Sequence, residues 1–229
     1  MRAGFHLVNI EPYSIVLLVD VIDAIDRRAA RKADRRRAIL EVAERSFTER
    51  GFANTSMSTI AAELGGSKTT LWTYFPSKED LFAAVLDSKI AAFQQALDEA
   101  LIPEGGTAAA LTRFGRVVLR KILSRDSMAL HRLIVAEVER FPALGETFAA
   151  RGPDRSRARL ARYLEEEMAA GRLRQGDSHL AARQFFALCQ SGCYLDRLWR
   201  PRMVEAADPD AEVAEAVDIF MRAWGPARA

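Results

Sequence analysis

The chain has 229 residues, 49% of them hydrophobic, with only 13 glycines and 8 prolines. That is enough for one large domain or a small one joined to a larger one, and the dominance of Ala, Leu, Arg and Glu favours an all-helical protein over a sheet. The formal net charge of +2 excludes overall charge as a sign of nucleic-acid binding, so the distribution of charge has to be read instead.

Residues 1–26 contain an apolar run, Ile15 to Val19, followed quickly by Asp20, Asp23 and Asp26. The run is shorter than the ~20 residues a membrane helix needs, and Glu11 and Pro12 do not fit a signal peptide. The expectation is an atypical extension, either a short helix on the body of the protein or the product of an over-long gene start, in a cytoplasmic protein without a membrane anchor. Arg27 to Arg37 then carries seven cations against Asp34 alone. Two readings are open: a solvated, partly disordered tail, or an arm that follows the phosphate backbone or enters the minor groove. General phosphate attraction, with Arg35 and Arg36 nearest the head, is favoured over minor-groove reading.

A first helix is predicted from about Ala33 to Arg50, with Ile39, Val42, Ala43, Ser46 and Phe47 inward, Gly51 as its stop and Phe52 folding back on it. The segment TSMSTIAAELGGSKTTLWTYFPSKEDL, Thr55 to Leu81, is the one around which the chain is organised. Met57, Ile60, Ala61 and Leu64 recur at helical spacing behind Thr55 or Ser56 as N-cap, Gly65 and Gly66 break the helix, and Ser67 restarts another carrying Leu71, Trp72 and Phe75. Two short helices joined by a glycine-containing turn make a helix-turn-helix. The outward side of the second helix carries Lys68, Thr69, Thr70, Thr73 and Tyr74. Its hydroxyls can meet phosphates, base edges or a thymine methyl, while Lys68 neutralises backbone charge. The bland alternative is a solvated face on a small helical hairpin.

The order of residues in this segment resembles the DNA-binding domain of the TetR family of bacterial transcriptional regulators. The resemblance rests on Thr55, Ile60-Ala61, Gly65-Gly66, Ser67, Leu71-Trp72, Tyr74-Phe75 and Ser77-Lys78-Glu79 with Leu81, and implies a DNA contact surface of Thr55, Ser56, Ser67, Lys68, Thr69, Thr70, Trp72, Thr73, Tyr74 and Lys78. Three departures stand out: Gly66 where a buried valine is usual, Thr69 where glycine is frequent, and Trp72 for the usual tyrosine. An indole N–H donates to a phosphate but cannot accept. These affect sequence preference rather than binding mode.

Pro76 fixes the exit from the recognition helix, and Ser77 with Asp80 caps a longer helix, to about Leu101, that acts as a lever. Lys78 at its start is placed to touch phosphate. After a linker at Pro103, Gly105 and Gly106, helices are predicted at about 107–123, 127–140, 143–150, 155–170, 179–199 and 209–224. The expected organisation is an extension with basic arm (1–32), a three-helix helix-turn-helix domain (33–80) and a helical bundle (81–229). The stretches LHRLIVAEVERFPALGETF and ARYLEEEMAAGRLR are similar to the C-terminal domain of the AefR-like branch of the same family, which implies ligand binding and dimerisation in the bundle.

Phe114, Phe148, Phe185 and Phe186, with Val118, Leu188 and Cys189, are candidates to line an apolar pocket between helices, joined by Ile134 and Glu137 on the stripe of the 127–140 helix; ordinary core, or for Glu137 a tie to Arg140 or Arg120, is the plain alternative. Leu195, Leu198, Val213, Val217, Phe220, Met221 and Trp224 are surplus apolar positions that suggest a partner, two helices from each of two subunits. His131 and His179 are read as surface residues. The two cysteines, Cys189 and Cys193, read as small core residues of a reduced protein; no metal or cofactor is expected, and there is no nucleophile and base pair of an enzyme. The function expected is a homodimeric repressor on a palindromic DNA operator, released by a small apolar or amphipathic effector. The alternatives are an architectural or division-control DNA-binding protein without an inducer, and a helical enzyme carrying a DNA-binding head.

Overall fold

A computed structural model describes residues 12–65, 68–200 and 208–226, and among them it contains eleven helices and no strand. Residues 1–11 of the extension, the turn residues Gly66 and Ser67, and the break expected at Pro201 lie outside the described residues.

The first helix, α1 (Pro12–Asn54), runs for 43 residues. From Pro12 onward the extension, the basic run and the first helix of the head are thus one rod, not a tail joined to a helix. From Ala24 to Asp34 the rod is solvent-exposed, so this part does not lie on the body. Its regular part ends where expected, at Gly51, whose φ of 83° is a conformation that strains any residue with a Cβ. Phe52 folds back and is fully buried, its ring stacked on Phe47 at 5.5 Å between centroids.

Two short helices come next, α2 (Met57–Glu63) and α3 (Lys68–Tyr74), and then the lever, α4 (Lys78–Ala100). Ser56 rather than Thr55 is the N-cap of α2: its hydroxyl accepts from the Thr59 backbone N–H at 3.0 Å. Ser77 caps α4 by accepting from Asp80 N at 2.9 Å, and its hydroxyl donates to the Asp80 carboxylate at 2.6 Å. Each such cap offsets a donor left open by the helix geometry. Met57, Ile60 and Ala61 of α2 and Leu71 of α3 close on Ile39, Ala43 and Phe47 of α1.

The remainder is a bundle of α5 (Gly106–Ile122), α6 (Arg125–Glu137), α7 (Pro142–Arg151), α8 (Pro153–Ala169), α9 (Ser178–Cys189), α10 (Cys193–Trp199) and α11 (Pro209–Trp224). Its core is built on Leu97, Phe114, Leu119, Leu160, Leu164, Phe185 and Phe220. The head is not separated from this bundle by a wet gap. Leu133 and Ile134 of α6 and Leu144 of α7 complete the same apolar cluster as Phe47, Phe82, Val85 and Leu86.

The single helix expected over 179–199 is two helices, broken at Gln190 to Gly192. A residue from α11 makes the break. The Glu212 carboxylate accepts from Gly192 N at 2.7 Å, from Cys193 N at 3.1 Å and from the Cys193 thiol at 2.5 Å, capping the new helix from outside. A Cβ on Gly192 would come within 2.9 Å of that carboxylate. Burial, with Glu212 beside it, pushes the Cys193 thiol up to about 12, and burial does the same for Cys189. Both thiols therefore stay protonated, in keeping with core residues rather than reactive ones.

Candidate functional site

The outward face of α3 is set by its own length. Seven residues give two turns, and Leu71 is spent on the core together with Phe75 just beyond. Thr69, Trp72 and Thr73 are left to solvent, with Trp72 at 41% exposure. Leaving an indole in water is unfavourable without a partner, so Trp72 is the most conspicuous side chain of this face. The Thr73 hydroxyl donates back to Thr69 O at 2.9 Å. Thr70 is half-buried, and Tyr74 leans on Phe75 at 6.4 Å and packs on the head core. Ser56, at the start of α2, is exposed. Arg36 sits over the Phe75 ring at 5.5 Å, and Arg35 is half-buried next to it. Ser67 and the side chain of Lys68 lie outside the described residues.

Two residues expected at the DNA are placed elsewhere. Thr55 is buried, and its hydroxyl serves Ser46 O at 3.0 Å and Gly51 O at 2.8 Å. It ties the end of α1 to the start of α2 and has no face toward a groove. Thr55→Val keeps the shape and removes both bonds; it is expected to cost about 1–3 kcal/mol by urea unfolding and to weaken DNA binding only as far as the head loosens. The Lys78 ammonium, expected at a phosphate, is turned inward: it donates to Phe52 O at 2.7 Å and lies 4.1 Å above the Phe52 ring. Burial lowers its pKa, with Glu79 and Glu137 acting in the opposite direction.

Glu137, expected in a ligand pocket or paired with Arg140 or Arg120, does neither. It is the last residue of α6, and its carboxylate accepts from Ala53 N at 3.0 Å. The end of α6 is thereby clasped to the turn that leads into the reading hairpin. A Cβ on Gly51 would meet that carboxylate at 3.0 Å, a second reason for glycine at this position.

Between head and body lies a cavity of about 330 Å³. Of the predicted pocket residues, Val118, Ile134, Phe148 and Phe186 line it. Phe114, Phe185 and Cys189 do not; they are sealed in the bundle core at 0%, 1% and 1% exposure, because α11 covers the face of α5 and α9 on which they stand. Glu44, Phe47 and Thr48 of α1 contribute to the wall, so the cavity touches the DNA-reading head directly. His131, read from the sequence as a surface residue, is part of the lining as well. Its ring stands edge-on to Phe148 at 5.3 Å and to Tyr194 at 5.6 Å, and burial lowers its pKa, which keeps it neutral. Its position three residues before Ile134 puts it on the inward stripe of α6, a signal available in the spacing.

One end of the cavity is polar. Lys89 Nζ lies 2.7 Å from Glu44 Oε1 and 3.7 Å from Asp126 Oδ2, and its pKa is raised mainly by the hydrogen bond to Glu44. Lys121 Nζ donates to Lys89 O at 3.3 Å, and its pKa is lowered, first by burial and then by the Lys89 charge.

The partner-facing residues divide. Val213, Val217, Phe220 and Trp224 are 0–7% exposed within the chain's own core, and Met221 packs against that core. They are not surplus: α11 runs against both α5 and α9, which consume its apolar stripe. Leu198 is half-buried, while Leu195, Trp199 and Ile219 are exposed at 42%, 76% and 41%.

Residues 39–85 match the family model described as bacterial regulatory proteins, tetR family, and residues 109–226 match that of the AefR-like transcriptional repressor C-terminal domain. The chain belongs to the TetR family. It is a DNA-binding transcriptional regulator built on the all-helical TetR fold, in a family of regulators and not of enzymes. The flavonoid-responsive regulator FrrA superposes with a TM-score of 0.76 at 33% identity, covering 86% of this chain and 100% of FrrA. A TetR-family regulator from Mesorhizobium loti MAFF303099 gives 0.74 at 25% identity, covering 85% and 98%. RutR of Escherichia coli K12 is 35% identical over 118 residues, 49% of this chain and 51% of RutR, and YhgD of Bacillus subtilis 168 is 37% identical over 70 residues, 31% and 37%. The match thus spans about half or less of these curated relatives. Among the described residues of this TetR-family chain no helix is long and apolar enough to cross a membrane, and no cluster of metal-binding side chains occurs.

Proposed function

We propose that this TetR-family regulator is a repressor that binds a palindromic operator as a homodimer and is released by a small apolar or amphipathic effector. The observation that carries this reading is the cavity's position: its wall is shared by α1 of the head and by α4, α5, α6 and α9, so whatever fills it presses on head and body together. The description of the matching C-terminal family as repressors, and the name of FrrA as a flavonoid-responsive regulator, support repression and an effector. Seven residues of α3 extend only ~10 Å and reach a handful of base pairs, so specific binding asks for two heads, about one helical turn or ~34 Å apart. The exposed Leu195, Trp199 and Ile219 of α10 and α11 supply apolar surface for the second copy.

The test is binding of the purified protein to the intergenic DNA beside its gene, by anisotropy at two salt concentrations. The expected result is saturable binding of two protomers to a palindrome, steeply weakened by salt. Ile219→Asp is expected to shift the sedimenting species from dimer to monomer and to lower operator affinity by roughly tenfold or more. Equal affinity for random DNA would favour an architectural protein instead.

A further inference from the structure

We propose that the cavity is built for an amphipathic molecule carrying one carboxylate, that Lys121 holds this carboxylate, and that the carboxylate competes with Glu44 for Lys89. This inference rests on the effector reading above and names the chemistry of its ligand.

Charge is shared unequally at the polar end of the cavity. Of the five charged residues on the cavity wall, four stand together at this end, Glu44, Lys89, Lys121 and Asp126, and the fifth is Arg157. Both carboxylates lie within ion-pair distance of Lys89, at 2.7 and 3.7 Å. Lys121 receives only a backbone carbonyl, at 3.3 Å, and among the described residues no carboxylate lies within ion-pair distance of it. An ammonium has three donors; two remain to be placed. A cation withdrawn from water toward an apolar wall is stabilised by an anion able to accept those donors, and charge-assisted bonds of this kind are about twice as strong as neutral ones.

Away from this end the lining is mainly apolar and aromatic, with Phe93, Leu130, Phe148 and Phe186, and the polar side chains of Ser156, Arg157 and Gln190 are set among them. Such walls take a hydrophobic, preferably aromatic body. The one further charged group on the wall, Arg157, is already paired with Asp154 at 3.3 Å, so a second carboxylate there would have to displace a resident partner. Two ammonium groups face two carboxylates at the polar end, and because both carboxylates lie within ion-pair distance of Lys89 and neither of Lys121, the site has more to offer an anion than a cation.

The two resident carboxylates respond differently to an arriving third. Asp126 is 70% exposed and can turn to water. Glu44 is 28% exposed, stands on α1, and through Lys89 ties α1 to α4. A ligand carboxylate at Lys121 also attracts the neighbouring Lys89 and repels Glu44, so occupancy loosens the contact that holds the head's first helix to its lever. By linkage, whatever occupancy takes from the Glu44–Lys89 pair, that pair takes from the affinity for the acid.

The experiment uses the full chain and two probes with one body, biphenyl-4-carboxylate and biphenyl-4-carboxamide, each displacing the neutral dye 1-N-phenylnaphthylamine and followed by calorimetry. The carboxylate is expected to bind roughly tenfold tighter than the amide. Lys121→Met is expected to bring the two to parity by weakening the acid alone, Lys121→Arg to keep the preference, and Glu44→Gln to tighten the acid by several-fold. Lys121→Arg also serves where the methionine variant does not fold. Dye entry with equal affinity for acid and amide, or an acid preference that survives in Lys121→Met, would overturn this inference and leave the effector reading standing. Failure of the neutral dye and of both probes to enter would overturn the effector reading, and this inference with it.

Discussion

Phe52→Ala is expected to lower stability by about 3–5 kcal/mol and to abolish operator binding at growth temperature, although Phe52 touches no DNA. The ring stacks on Phe47 at 5.5 Å, meets Phe82 edge-on at 5.6 Å and Phe141 at 5.2 Å, and carries the Lys78 ammonium 4.1 Å above it. These partners belong to α1, to α4 and to the segment between α6 and α7, so one residue joins the head, the lever and the body. Its truncation leaves a cavity where three rings met and removes the ring beneath the half-buried Lys78 ammonium. A domain of this size is stable by only ~5–15 kcal/mol, so the loss is a large share of the whole. Urea unfolding checks it: the midpoint falls while the slope is unchanged, because the surface exposed on unfolding is nearly the same. Phe52→Leu retains the volume and is expected to lose about 1–2 kcal/mol, the ring–ring share together with imperfect packing. A Phe52→Ala variant that unfolds within about 1 kcal/mol of the parent would show that the aromatic cluster is not what unites head and body.

The second large effect is on DNA alone. Trp72→Ala is expected to weaken operator binding about 10- to 100-fold, the ~1–3 kcal/mol of a direct contact, and to leave stability within about 0.5 kcal/mol. The separation comes from position. Trp72 stands on α3 at 41% exposure, whereas Leu71 beside it is 2% exposed and belongs to the core. An indole is neutral, so its removal is expected to leave the salt dependence of binding untouched, while Arg35→Ala is expected to reduce the salt slope by about one. Measuring affinity at several salt concentrations for both variants separates the two contributions. An unchanged affinity of Trp72→Ala would remove the indole from the interface and leave its exposure to be explained by something other than DNA.

Much of this molecule was legible without coordinates because its cues are local. The glycine stop at Gly51, the Ser77–Asp80 cap and the 3.6-residue spacing of Met57, Ile60, Ala61 and Leu64 are each decided by a few neighbours in sequence, so the all-helical architecture and the helix-turn-helix are set by the residues themselves. The order of residues from Thr55 to Leu81 carried the family as well. What failed were readings that needed to know which side of a helix another helix covers. Val213, Val217 and Phe220 make an apolar stripe whether the cover is α5 and α9 or a second subunit, and only packing shows that the chain itself covers them. His131 sits on the inward stripe of α6, yet a single polar residue there reads equally as an edge.

The sequence by itself determined the helical class, most of the elements, the reading head and the regulator family, since caps, periodicity and motif order act over fewer than ten residues or so. Tertiary structure alone decided the rest. Glu212 breaks a helix twenty residues away by capping it from α11, Lys78 and Glu137 turn inward to clasp the turn at Phe52 and Ala53, and Glu44 reaches across to Lys89 at the rim of the cavity. In each case a charged group that sequence leaves in solvent finds a backbone dipole or an opposite charge on a distant element, and that choice depends on distance in space rather than along the chain.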